Sequence, residues 1–249
     1  MKKIKTHCIT RMGMVCCVLS LLFSTDISAS EQLRIDTVQM APLGFVKDGK
    51  STGFFYDMGN LIAKEAGFSY QNRIVPFARV IHELENGDAD FGILYRSEKN
   101  DKVTLPVSPV FSFKNIIIGL KGTSFDALQS LHGKKIARVR GARYDENFDK
   151  DDAIIKMGTV DYRDSIRRVV HKMADATILT EIGFLFSIKQ LGYPKADFGE
   201  PFVLNTKEVW VQFSRTAAND KKIAALKAAI ERLKKNDSFR HLFRKYTED

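Results

Sequence analysis

The sequence predicts an α/β protein made of two similar lobes, and three observations carry this prediction. The first third of the chain reads as β-α-β-α-β, an order that predicts a mostly parallel sheet with right-handed crossovers. Residues 89–94 (ADFGIL) return as residues 174–179 (ADATIL), in both places after a helix with the same apolar spacing. This echo is either an internal repeat or a chance similarity of two buried strands. Polar residues follow both strands, and ligands of open α/β sheets collect beyond such strand ends.

Residues 1–29 read as a secretory signal peptide. Four basic residues precede an apolar run at residues 12–23, and residues 27–29 (ISA) offer a small-x-small cleavage pattern. Cys16 leaves a lipoprotein reading open, although Val15 is not the small residue normally expected before a lipidated cysteine. No later segment approaches the roughly 20 apolar residues of a membrane helix, so we expect an exported, soluble mature chain.

The composition of the mature chain excludes several classes of function. All three cysteines lie inside the signal segment, so neither disulfides nor thiolates act in the mature chain. Residues 1–29 hold four basic residues and one acidic residue, so their removal lowers the formal net charge from +9 to +6. Basic and acidic residues are interspersed, which disfavours nucleic-acid binding and supports only a modest preference for anionic ligands.

The first elements follow from apolar spacing. Residues 33–38 alternate as a strand, residues 40–45 form a loop, and Asp57 is placed to cap a helix that Gly67 ends. A strand at residues 71–75 leads to a helix whose apolar stripe is Phe77, Val80, Ile81 and Leu84. Asn86 and Gly87 end that helix, and residues 91–95 form the next strand.

The second part of the chain repeats this alternation. Pro106 and Pro109 predict an irregular crossing before a strand at residues 115–120, and Ser124 is expected to cap a short helix. Further strands are predicted at residues 135–139, 156–161, 176–179 and 208–213, with helices at 166–173 and 181–191 and two at the C-terminus. The strand at residues 208–213 contains Trp210 and returns toward the first lobe.

These pieces, in this order, resemble the extracellular solute-binding proteins of family 3, the polar amino-acid type that serves ABC importers. The resemblance covers nearly the whole mature chain. It rests on Pro42 to Phe45, residues 53–57, Pro76-Phe77, residues 86–90, residues 124–136, residues 174–176 and residues 237–246.

The resemblance implies a two-lobed periplasmic-binding-protein (type II) fold, each lobe a mostly parallel sheet flanked by helices, with two crossing hinge strands. Closure of the lobes would hold the ligand between strand ends, because only a ligand that touches both sides stabilises the closed state. We expect residues 31–110 to form the first part of lobe 1 and residues 111–213 to form lobe 2 with a hinge strand at each end. Residues 214–249 would be the C-terminal helices that return to lobe 1.

The chain departs from the pattern of amino-acid binders at the ligand. Lys99 stands where these proteins usually have an arginine that makes two hydrogen bonds to the α-carboxylate of the ligand. Arg96 stands where they usually have a threonine or serine. Arg143 lies in a turn that commonly reads Gly-Thr-Thr, and Thr180 replaces the acid that receives the amino group, although Glu181 is adjacent. These departures predict a carboxylate-bearing ligand, either an amino acid or an organic acid that lacks an ammonium group.

Eight residues are the candidates for ligand contact: Tyr56, Phe77, Tyr95, Arg96, Lys99, Arg143, Thr180 and Glu181. Each has a plainer alternative. Arg96 and Arg143 could be solvated, Lys99 could pair with a neighbouring acid, Phe77 and Tyr56 could be local helix-start residues, and Thr180 with Glu181 could cap a helix. The histidines are isolated, so we expect no metal site. We also expect no cofactor and no catalytic residue.

The resemblance predicts a monomeric periplasmic solute-binding protein that delivers a small molecule to an inner-membrane ABC permease. One alternative is a free-standing sensor with the same fold, which would signal to a membrane partner such as a sensor kinase instead of delivering a solute. A minor alternative is a dehydratase-like enzyme, for which Glu181 is the only candidate acid or base.

Overall fold

The computed structural model describes residues 32–248 and contains ten β-strands and eight α-helices over that range. The predicted signal peptide and all three cysteines lie outside the described residues. The first elements are β1 (Leu33–Val38), β2 (Phe45–Lys47), β3 (Lys50–Thr52), α1 (Phe54–Glu65), β4 (Tyr70–Val75), α2 (Phe77–Asn86), β5 (Phe91–Tyr95) and α3 (Glu98–Val103). The remaining elements are β6 (Thr104–Gly119), β7 (Lys135–Val139), α4 (Glu146–Lys150), β8 (Ile155–Thr159), α5 (Tyr162–Val170), β9 (Ala176–Thr180), α6 (Glu181–Leu191), β10 (Phe202–Ser214), α7 (Asp220–Lys235) and α8 (Ser238–Thr247). Within residues 32–248, no helix has both the length and the apolar character needed to cross a bilayer.

Eight strands form one continuous sheet in the order β4-β1-β5-β10-β6-β9-β7-β8, while β2 and β3 pair as a separate hairpin. β1 runs parallel to β4 and β5, and β7 runs parallel to β8 and β9. The long central strands β6 and β10 run antiparallel to each other and to their outer neighbours. We call β4-β1-β5 the first half of the sheet and β8-β7-β9 the second half, because both have the same internal order.

Each half of the sheet has its own hydrophobic core. The first core packs α1, α7 and α8 against β1 and β5, and Phe54, Phe113 and Phe213 are among its fully buried side chains. The second core packs α5 and α6 against β9 and the end of β6. Ile182 of α6 belongs to the first core, so α6 contacts the cores of both halves.

The stretch from α2 to β5 follows its predicted pattern. Val80 and Leu84, on the inner face of α2, are fully buried. Gly87 ends the helix in the left-handed conformation at φ 80°, which a glycine adopts without steric cost. Phe77 is the exception in the apolar stripe, since half of its surface is exposed at the first residue of the helix.

Three local predictions were wrong. Pro106 and Pro109 lie inside β6, where the pairing with β10 carries register shifts instead of a break in the strand. Ser124 caps no α-helix, since only a 3₁₀ turn at Leu128–Leu131 follows, after Ala127. Asp57 does not cap α1, because the helix begins at Phe54 and Asp57 lies in its first turn.

Candidate ligand-binding site

A groove of about 670 Å³ lies between the two halves of the sheet. One wall is the segment that follows β1, from Gln39 to Lys47. The other wall comes from the ends of β7 and β8 and from α6: Val139, Ala142, residues 160–163, Phe186, Ser187 and Gln190. Because the walls belong to opposite halves, a molecule of metabolite size in this groove contacts both at once.

Exposed apolar side chains line the groove from both sides. Met40 and Val46 are 39% and 63% exposed on the first wall, and Val160 is 76% exposed on the second. Phe45 packs edge to face against Phe186 across the groove, with ring centroids 5.3 Å apart. The groove therefore offers apolar surface to a ligand, and an aromatic pair already joins its walls.

The charged lining of the groove consists of Lys47, Arg163 and Asp161. Asp161 accepts a hydrogen bond from the Asp164 amide at 2.8 Å, which caps α5, and pairs with Arg163 at 3.0 Å. Burial raises the pKa of Asp161, but these hydrogen bonds outweigh it and hold the pKa below its usual value. Lys47 forms no ion pair within residues 32–248, so its charge is available to an anion.

Three tyrosines have pKa values raised by burial: Tyr162 in the lining of the groove, and Tyr144 and Tyr95, which interact with it electrostatically. Tyr162 lines the groove and is buried, which raises its pKa, while the interaction with Thr180 acts in the opposite direction. Burial also raises the pKa of Tyr144, and the neighbouring Tyr162 adds to that rise. Tyr95, at the end of β5 in the other half, has its pKa raised by burial and then by Tyr162. All three hydroxyls are thus neutral at pH 7 and offer polar contacts without charge.

Gly183 positions the Tyr162 ring. It lies in the first turn of α6, where its amide donates to the Thr180 hydroxyl at 3.2 Å. A Cβ atom at Gly183 would lie 2.5 Å from Tyr162 Cε2 and 2.9 Å from Thr180 Oγ1. Such contacts are too short for any side chain, so the ring rests directly on the backbone of α6. Neither Gly183 nor Tyr162 was singled out from the sequence, although a glycine in the first turn of an apolar helix was a usable signal.

None of the eight predicted contact residues lines the groove. Thr180 lies beside Tyr162, since a Cβ atom at Gly183 would approach both side chains, and Tyr95 interacts with Tyr162 electrostatically. Thr180 is also the N-cap of α6, as the plainer reading expected. Tyr56 is half-buried in α1, and its carbonyl oxygen accepts from Asn72 Nδ2 at 3.0 Å. Phe77 stands at the start of α2, outside the lining of the groove.

The charged candidates also lie outside that lining. Arg96 pairs with Asp101 at 2.7 Å and stacks over Trp210 at 5.3 Å. Lys99 is exposed in the first turn of α3, and Arg143 is exposed after β7. Glu181 borders a separate depression and faces Lys114 at 3.8 Å. Their contact with a ligand remains a prediction.

The two-halved sheet, with a groove between strand ends, defines the class of two-lobed binding proteins. A histidine kinase sensor domain described as similar to periplasmic binding proteins shares this fold, with a TM-score of 0.69 at 15% identity over 89% of this chain and 98% of that one. Residues 33–249 match the model of the bacterial extracellular solute-binding proteins, family 3, and the chain belongs to that family.

Two relatives illustrate the family. The chain is 23% identical to the probable amino-acid-binding protein YxeM of Bacillus subtilis over 216 residues, which covers 84% of this chain and 81% of YxeM. It is 27% identical to the putative amino-acid ABC transporter-binding protein PatH of Vibrio harveyi over 189 residues, with coverages of 73% and 75%. The predicted fold class and family are confirmed.

Proposed function

We propose that this protein binds a small, carboxylate-bearing solute in the groove between the two halves of the sheet, and that the halves close on it. The observation that carries the proposal is the lining of the groove, which comes from both halves. A ligand that touches both walls binds the closed state more tightly than the open one, so binding favours closure.

The lining supports an amino acid or organic acid with an apolar portion. Lys47 and Arg163 supply cations for a carboxylate, and Met40, Val46 and Val160 supply apolar surface. The tyrosine hydroxyls beside Tyr162 can accept and donate hydrogen bonds without adding charge. The names of YxeM and PatH, both amino-acid-binding, support the same class of ligand.

The output that we propose is delivery to an ABC importer in the periplasm, after export through the predicted signal peptide at residues 1–29. The name of PatH supports this partner. The alternative is signalling through a membrane protein, which the fold shared with a histidine kinase sensor domain supports. We propose no catalytic step, because Glu181, the sequence's only candidate acid or base, borders another depression.

A thermal-shift screen against amino acids, dicarboxylates, other organic acids and short peptides tests the proposal. A ligand that binds only the folded state stabilises it by about 2.7 kcal/mol at a hundredfold excess over its dissociation constant. We expect at least one of these carboxylates to stabilise the protein, and the absence of any thermal shift across the panel contradicts the proposal.

Two matched double variants then locate the site. Lys47→Gln/Arg163→Gln removes two positive charges from the groove, and Arg96→Gln/Arg143→Gln removes two from the positions that the sequence predicts. We expect the first pair to weaken the dissociation constant of the hit at least tenfold in calorimetry. A loss confined to the second pair would place the carboxylate at the predicted arginines instead of in the groove.

A further inference from the structure

A second concave site lies at the carboxyl ends of β7 and β8 and shares no lining residue with the groove. It has a volume of about 400 Å³ and is lined by Arg138, Arg140, Gly141, Arg143, Lys156 and Gly158. Four of these six residues are cations, and none of the six is an acid. A concentration of one sign of charge in a concavity attracts counter-ions more strongly than the same charges spread over a flat surface.

The position of Arg140 depends on Gly158, which has no side chain. A Cβ atom at Gly158 would lie 2.8 Å from Arg140 Cγ and 3.3 Å from Cδ, so the stem of Arg140 lies flat across β8. Gly141 adopts φ +77°, and the Ala142 amide donates to the Val139 carbonyl oxygen at 3.2 Å. This tight turn separates Arg140 from Arg143 by only two residues and leaves both exposed.

The charges of Arg140 and Arg143 are not neutralised within the protein. Neither forms an ion pair with any residue from 32 to 248, although Arg143 also borders a neighbouring depression that contains carboxylates. Arg138 differs, because it is largely buried and pairs with Asp149 at 3.2 Å. Lys156 donates from Nζ to the Asp151 carbonyl oxygen, and its charge helps to lower the pKa of the Asp151 carboxyl group without forming a close ion pair.

We propose that this concavity binds a phosphate group, at a site that shares no lining residue with the solute groove. Two arginines without ion-pair partners, with Lys156 beside them, favour an anion of more than one charge, and a phosphate dianion has enough oxygens to accept from several donors at once. Arginine guanidinium groups bind phosphate with paired N–H donors, which suits Arg140 and Arg143. The group can belong to free phosphate or to the headgroup of an anionic lipid, since the recognition chemistry is the same.

Calorimetry with inorganic phosphate, and sedimentation with phosphatidylglycerol vesicles against phosphatidylcholine vesicles, test this site at low ionic strength. We expect at least one of the two phosphate sources to bind. Arg140→Gln/Arg143→Gln should weaken that binding at least tenfold. Binding of phosphate alone identifies a free anion, and binding of phosphatidylglycerol alone identifies a lipid headgroup.

Two further variants separate a built site from general charge attraction. Gly158→Ala keeps the net charge but displaces Arg140, so it should weaken binding severalfold. Arg167→Gln/Arg244→Gln removes two exposed arginines elsewhere and should change binding less than twofold. The proposal is overturned if neither source binds, or if the Arg167/Arg244 pair weakens binding as much as the Arg140/Arg143 pair does.

Discussion

Replacing Gly183 with alanine tests whether the backbone of α6 positions the Tyr162 ring. The new Cβ atom would lie 2.5 Å from Tyr162 Cε2, so the ring must move by about 1 Å to restore ordinary contact. Overpacking of this kind costs about 1–3 kcal/mol, while alanine is favoured over glycine in a helix by up to about 1 kcal/mol. We therefore expect a net loss of about 0–2 kcal/mol in the free energy of unfolding, measured by urea denaturation.

The effect on solute affinity should be larger than this loss of stability suggests, because Tyr162 lines the groove and lies beside Thr180. We expect calorimetry with the hit from the solute screen to show a dissociation constant at least tenfold weaker, which corresponds to about 1.4 kcal/mol.

Making Gly183→Ala in a second protein, which lacks the Tyr162 ring, isolates the contribution of that ring. In a Tyr162→Ala protein the ring is absent, so Gly183→Ala should cost less free energy of unfolding there than in the unmodified protein, by about 1–3 kcal/mol. The 2.9 Å approach to Thr180 Oγ1 remains in both backgrounds and cancels in the comparison. Equal effects of Gly183→Ala in the two backgrounds would refute the assignment of Gly183 as the support of the ring.

Two further predictions concern stability. Tyr246→Phe should lower the free energy of unfolding by about 1–3 kcal/mol, because the hydroxyl accepts from the Gly53 amide at 2.9 Å and donates to Asp57 at 2.7 Å. Tyr70 is exposed, so the control Tyr70→Phe, measured in the same urea series, should lower it by less than about 0.5 kcal/mol. Burial raises the pKa of Asp36, against the opposing effect of Arg73, so the folded state holds this proton more tightly than the unfolded state does. The resulting stability is present below the usual aspartate pKa of about 3.9 and is lost as the pH rises through the folded-state value. The stability of Asp36→Asn relative to the unmodified protein should therefore increase upward from about pH 4, and a difference that is flat or falls with pH would contradict this reasoning.

Much of the fold follows from short-range patterns. The spacing of Val80 and Leu84 predicts the buried face of α2, and Gly87 marks its end, because both signals act within one or two helical turns. The crossing segment was harder to predict, since Pro106 and Pro109 normally interrupt a strand. They are tolerated in β6 because the register shifts against β10 there and the ladder is locally irregular.

The candidate site was only partly predictable. Tyr95 and Thr180 stand at strand ends, where the rule for α/β sheets placed them, but neither lines the groove and only Thr180 lies beside Tyr162 among the contacts described. Lys47 and Arg163 gave no such signal, because one is the last residue of a short hairpin strand and the other lies inside the first turn of α5. Their presence in one groove depends on how the two walls face each other.

The sequence by itself determined the order of most strands and helices, although not the short helices α3 and α4, and it determined the two similar halves and the family. Local periodicity, helix-ending glycines and the order of motifs along the chain indicate those properties. Only the tertiary structure decided which side chains share the groove, which arginines are already paired and where Gly183 allows Tyr162 to rest. The reason is that such contacts join residues distant in the chain, as Phe45 and Phe186 do across the groove, and their distances follow from packing and not from sequence spacing.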